Sequence, residues 1–164
     1  MNLIFRMFLT IFLAKRAAKL EPLGVSHKPM RVLPNDLDVQ MHMNNGRFLS
    51  VMDLGRLDLM VRTGFWAIAR QRGWFPLVGS VRIDYRRPLT VFQRYDMTSQ
   101  IVGWDDRWIF MEQHFLVDGK VCAKALFKTM IRSKDGLVTP QEVMNAAGFQ
   151  IERPDLSEDM KHLL

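Results

Sequence analysis

One long helical pattern, followed by strand patterns almost to the end of the chain, constrains this sequence more than any other feature. From Asn45 to about Arg62, Phe48, Met52, Gly55 and Leu59 recur at spacings of four and three, while Arg47, Asp58 and Arg62 fall largely off that stripe. A glycine on the apolar stripe predicts close approach to a sheet, since an isolated helical glycine otherwise costs stability. Thr63-Gly64 interrupts the helix, and a second helical piece runs to Arg72, ended by Gly73.

Beyond Gly73 the period changes to two. Strands are expected over Leu77 to Tyr85, Tyr95 to Val102, Trp108 to Val117 and Val121 to Arg132, in meander. Asp118-Gly119 is a strong hairpin signal between the last two. Ahead of the helix stands one short extended piece around Met30 to Leu33, and Thr139-Pro140-Gln141-Glu142 opens a short C-terminal helix with a capping box. One helix with a run of antiparallel strands predicts an α+β fold with the sheet wrapping the helix. Such a helix is too short to cover a broad sheet alone, so dimerisation through the sheet edge is expected.

A chain of 164 residues with 48% hydrophobic and 24% charged residues suits one ordinary domain and excludes disordered and collagen-like classes. The single cysteine, Cys122, excludes an intrachain disulfide framework and suits a reducing compartment. Its alternating surroundings, Val121-Cys122-Ala123, read as buried strand rather than nucleophile. Of the net charge of +6, four charges lie in the first twenty residues, at Arg6, Lys15, Arg16 and Lys19. What remains is too little for a nucleic-acid surface, and none is expected.

Residues 1–22 form an apolar, basic-ended helix ahead of a domain over 23–164. The run Leu3 to Ala14 is broken by Arg6 and is shorter than the roughly 20 residues a bilayer span needs. Its charges follow the apolar part, the wrong order for a signal peptide. Two readings stay open. Residues 1–19 make an interfacial helix whose basic end faces anionic lipid, or the helix packs on the domain or a partner subunit. Either way a cytoplasmic location is expected, with peripheral membrane contact under the first reading.

The chemistry is concentrated in Asp36-Leu37-Asp38-Val39-Gln40-Met41-His42-Met43-Asn44-Asn45-Gly46-Arg47-Phe48, just before the long helix. Asparagines at a helix start cap free backbone N–H groups. That leaves Asp38 and His42 unexplained. A carboxylate near helix N-terminal amides makes a site for carbonyl chemistry, the amides stabilising an oxyanion and the carboxylate attacking or activating water. Asp36 reads as a turn residue.

The pattern Asp38-x-x-x-His42-x-Asn44-Asn45-x-x-Phe48 resembles the 4-hydroxybenzoyl-CoA thioesterase branch of the hotdog superfamily. Leu33-Pro34-x-Asp36-Leu37-Asp38, Asp53 and Arg56 on the helix, and Gly103-Trp104-Asp105-Asp106-Arg107 bring it nearest to the THEM-type members. The matched features run from about Leu33 to Phe127. The resemblance implies a hotdog acyl-CoA thioesterase with Asp38 as nucleophile or general base, the Asn45 backbone N–H polarising the thioester carbonyl, and His42 orienting loop or substrate. Asn44 and Phe48 would contact substrate, Phe48 by packing where many relatives carry tyrosine. Asp53 is a second candidate acid, its competing role being an ion pair with Arg56.

Arg82 and Arg87 are expected at the phosphates of coenzyme A, with Arg86 and Arg94 nearby. Met60, Phe65 and Trp66 are expected along an acyl tunnel between helix and sheet. The substrate is an acyl-CoA or acyl carrier protein thioester, the assembly a homodimer or homotetramer; no metal and no cofactor are expected. A non-catalytic hotdog protein that binds acyl groups or scaffolds at a membrane is the alternative, and it would tolerate asparagine at position 38. A hotdog dehydratase, with a differently placed His/Asp pair, is disfavoured by the Asp38-to-Asn45 turn.

Overall fold

Phe48, Met52, Gly55 and Leu59 all turn inward on the longest helix of the computed structural model, which describes residues 3–162. The expected helix over 1–22 and domain over 23–164 thus each lose two terminal residues that lie outside the described ones. The elements in order are α1 (Leu3–Arg16), β1 (Ser26–Arg31), a 3-10 turn (Pro34–Asp36), α2 (Asn45–Arg62), α3 (Phe65–Arg72), β2 (Phe75–Tyr85), β3 (Arg94–Trp104), β4 (Ile109–Val117), β5 (Lys120–Ser133), β6 (Gly136–Val138), α4 (Pro140–Ala146) and α5 (Glu158–Lys161). β2, β3 and β5 extend one or two residues past the expected boundaries, β4 starts one residue later, and β1 starts four residues earlier and ends two residues sooner than the expected Met30 to Leu33. Gly103 and Trp104, beyond the strand expected over Tyr95 to Val102, close β3. Neither β6 nor α5 is expected from the sequence, both being too short to show a period.

The sheet is antiparallel throughout, in the order β1-β3-β4-β5-β2, with β6 on the far end of β5. This corrects the expected meander, which holds only for β3-β4-β5. β2 crosses to pair with β5 and forms one sheet edge; β1 forms the other, where Pro29 is tolerated because no further strand needs its N–H. The hairpin turn between β4 and β5 has Asp118 at φ 49° and Gly119 at φ 74°, the pair of left-handed residues that matches strand twist.

Gly55 explains how α2 lies so close to this sheet. A Cβ there would stand 2.5 Å from Ser99 Oγ and 2.6 Å from Gln113 Nε2. Gln113, fully buried on β4, uses the gap: its Nε2 donates to the Met52 carbonyl at 3.0 Å and to Ser99 Oγ at 2.7 Å, and its Oε1 accepts from Arg56 at 3.0 Å. A buried amide with both ends satisfied pins helix to sheet in one register. Around it Met52, Leu59, Met97 and Phe115 are fully enclosed, each such burial contributing about 1.5–3 kcal/mol. The α+β hotdog arrangement is therefore present, one long helix held in a curled sheet. Cys122 belongs to this core, 3% exposed, and burial pushes its thiol above the ordinary value.

Candidate active site

The loop between the 3-10 turn and α2 is shaped by its own carboxylates. Asp36 is fully buried and accepts from Arg6 of α1, Arg47 of α2 and the Leu33 amide. Burial alone would raise its carboxyl; the Arg47 and Leu33 hydrogen bonds and the Arg6 charge outweigh it and hold the group below its usual range. Asp36 is thus the turn residue expected, and also the point where α1, the loop and α2 are joined. Its partner Arg6, which breaks the apolar run of the sequence, is buried with it.

Asp38 closes the next turn. Its backbone N–H donates to the His42 carbonyl at 2.8 Å, and its Oδ1 accepts from the amides of Gln40 at 2.9 Å and His42 at 3.2 Å. Met41 completes the turn in the left-handed region at φ 62°, a conformation a side chain adopts at some cost. The loop is then laced to the segment before β3 by a His42–Thr90 bridge and by the Met43 amide on the Leu89 carbonyl. Both of these amides meet the Asp38 carboxylate at Oδ1, which fixes the group in the turn.

Asn44 caps α2, its Oδ1 accepting from the Gly46 amide at 2.8 Å. Asn45 is the first helical residue, so its N–H has no acceptor within the helix and stands at the positive end of the helix dipole. Phe48, 3% exposed, packs against Phe115 at 4.8 Å and edge-on against Tyr85 at 5.3 Å. Asp38, His42, Asn45, Phe48, Tyr85, Arg86 and Arg87 together line one cavity of about 330 Å³, with Gln40, Met43 and Pro88 completing its wall.

Three of the residues expected at the substrate do not line this cavity: Asn44, which caps the helix instead, Asp53 and Arg82; Arg94, expected nearby, lines a separate groove beside α1. Asp53 is exposed and paired with Arg56, because five residues past Phe48 the helix has turned it away from the sheet. Arg82 pairs with Asp84 at 3.8 Å and Asp159 at 3.3 Å, on the face of β2 opposite Tyr85, since strand side chains alternate. Arg86, just past the strand, reaches the cavity in its place. Met60 and Phe65 line an apolar pocket under α2 and α3 of only about 50 Å³, too small for an acyl chain, and Trp66 is not part of it.

Tyr85 is the site residue that sequence reasoning passes over, as one more apolar position on a strand. Its hydroxyl donates to the Asn45 carbonyl at 3.0 Å, so it braces the peptide unit that follows the free amide, and burial raises its pKa. The available signal was the Tyr85-Arg86-Arg87-Pro88 run, an aromatic and two cations ahead of a strand-ending proline.

Residues 32–163 match the Thioesterase-like superfamily. Protein THEM6 of Danio rerio is 33% identical over 136 residues, covering 80% of this chain and 65% of that protein. The chain spans just under two thirds of the length of the THEM6 proteins of Danio rerio, Drosophila melanogaster and Xenopus laevis that it matches. Among solved structures, the probable thioesterase YbaW of Escherichia coli superposes with a TM-score of 0.68 at 22% identity, over 73% of this chain and 94% of that one. The gentisyl-coenzyme A thioesterase BH1999 gives 0.64 at 18%, over 75% and 99%. These structural likenesses are to the fold.

Proposed function

Because the chain belongs to the Thioesterase-like superfamily, we propose that it hydrolyses an acyl-CoA thioester to the free acid and coenzyme A. The observation that carries this reading is that Asp38 and Asn45, the first residue of α2, line one cavity. A thioester carbonyl directed at the Asn45 N–H is polarised by it, and the amide stabilises the oxyanion that forms as the carbon becomes tetrahedral. Asp38 acts from the loop in one of two ways. As a base it takes a proton from water, whose oxygen bonds to the carbonyl carbon; the C–S bond then breaks and the proton passes to the departing sulfur. As a nucleophile it forms the C–O bond itself, expels the thiolate, and leaves an anhydride that water cleaves.

His42 positions the loop through its backbone and bridges to Thr90, while Asn44 holds the helix end in place. Arg86 and Arg87 at the mouth suit the phosphates of coenzyme A, the group for which the similar gentisyl-coenzyme A thioesterase is named. Burial on both faces is incomplete along β2, where Phe75, Leu77 and Val78 are exposed at a sheet edge, and we include pairing of this edge with a second copy in the proposal. Tyr85 ends that strand, so a partner there would wall the cavity. A single buried thiol fits a cytoplasmic setting.

The test is thiol release from short, long and aromatic acyl-CoAs by wild type and Asp38→Asn. Hydrolysis lost in the folded variant supports the proposal; equal rates in the two proteins would remove Asp38 from the reaction, and none with any substrate would favour a non-catalytic acyl-binding protein. Solvent oxygen appearing in the Asp38 carboxylate after one turnover marks the anhydride route.

A further inference from the structure

Helix α1 is docked with its apolar side outward. The side chains it buries are Arg6, Thr10 and Ala14, one per turn, while Ile4, Phe5, Phe8, Leu9, Phe12 and Leu13 are 42–62% exposed. A surface helix ordinarily does the reverse. The Arg6–Asp36 pair fixes this orientation: rolling the phenylalanines inward would pull Arg6 out and leave a fully buried carboxylate without it.

We propose that this outward face lies on the surface of an anionic phospholipid bilayer. No described helix is long and apolar enough to cross a membrane, and 14 residues give α1 a length of about 21 Å, so it would rest in the interfacial plane. The charges choose the occupant. Lys15, Arg16 and Lys19 are exposed at the end of the apolar face, Arg16 lies 3.7 Å over the Phe12 ring, and no carboxylate occurs before Glu21. A second copy packed on this face would bring cations to a segment that offers no acid to pair with them. An anionic leaflet supplies the opposite charge across the whole face. Because Asp36 holds both Arg6 of α1 and Arg47 in the first turn of α2, seating α1 on lipid also fixes the orientation of the Asp38 loop relative to the bilayer.

Flotation of the full chain with vesicles of phosphatidylcholine, or of equimolar phosphatidylcholine and phosphatidylglycerol, tests this directly. Wild type is expected to float with the anionic vesicles. The Phe8→Ser/Phe12→Ser variant should bind at least about tenfold more weakly, and Lys15→Gln about fivefold more weakly with a flatter salt dependence. All these positions are exposed, so thermal unfolding should match wild type and exclude misfolding as the cause. Wild type that stays at the bottom of the gradient, or a phenylalanine variant that floats equally well, overturns the proposal. So does a wild-type assembly in lipid-free buffer that the phenylalanine substitutions split, since a second copy would then cover the face.

Discussion

Arg6 donates to both carboxylate oxygens of Asp36, at 3.1 and 3.0 Å, across thirty residues of sequence. Arg47 takes the same carboxylate from the other side at 2.8 Å. Substituting Asp36→Asn leaves the buried Arg6 without a counter-charge and should cost about 3–5 kcal/mol in urea unfolding. Arg153→Ala, which breaks an exposed pair with Asp106, should cost less than about 1 kcal/mol in the same experiment.

Acid should destabilise the fold through two carboxyls. Hydrogen bonding by His114, against the opposing effect of burial and helped by Lys124, holds Glu112 down at about 2, and Asp36 also lies below its ordinary value. Both bind a proton less readily folded than unfolded. Their contribution is therefore complete above the unfolded carboxyl range and lost as pH falls from about 4.5 toward 2. Thermal midpoints measured across that window should drop with pH, and Glu112→Gln should flatten the drop.

The close approach of α2 to the sheet predicts a penalty at Gly55. Alanine there gains up to about 1 kcal/mol of helix propensity, but its Cβ meets Ser99 and Gln113 inside 2.7 Å. Gly55→Ala should lose about 1–3 kcal/mol net by denaturant titration. A variant more stable than wild type would mean that Gln113 can withdraw without loss.

If the proposed hydrolysis holds, Tyr85→Phe isolates one hydrogen bond. Its loss from the Asn45 carbonyl should lower kcat/KM by about fivefold, as one net hydrogen bond of about 1 kcal/mol implies, with little change in unfolding midpoint. Unchanged kinetics would reduce Tyr85 to a packing partner of Phe48.

Cys122 should be silent toward alkylating agents in the native protein. It is buried, and burial disfavours its thiolate, the form that reacts. Labelling followed by mass spectrometry should track global unfolding across a denaturant series.

Periodicity carried much of the fold, because a helix stripe and strand alternation are local. Phe48, Met52, Gly55 and Leu59 could be placed against a sheet, and Asp118-Gly119 at a hairpin, from spacing and backbone preference alone. The Asp38-to-Phe48 pattern was legible for the same reason, since a loop and the helix start that follows it are contiguous in sequence. Pairing order was not. That β2 lies beside β5 rather than β3 depends on which edges bury most together, and no residue of either strand states it. Nor could spacing tell that Arg82 faces away from the cavity while Arg86 borders it, or that Tyr85 holds Asn45, because those follow from strand face and sheet position. Arg6 is the clearest case: as sequence it interrupts an apolar helix, and only the distant, buried carboxylate of Asp36 decides which side of that helix turns outward. An ion pair between residues far apart along the chain leaves no periodic trace, so tertiary structure alone could reveal it.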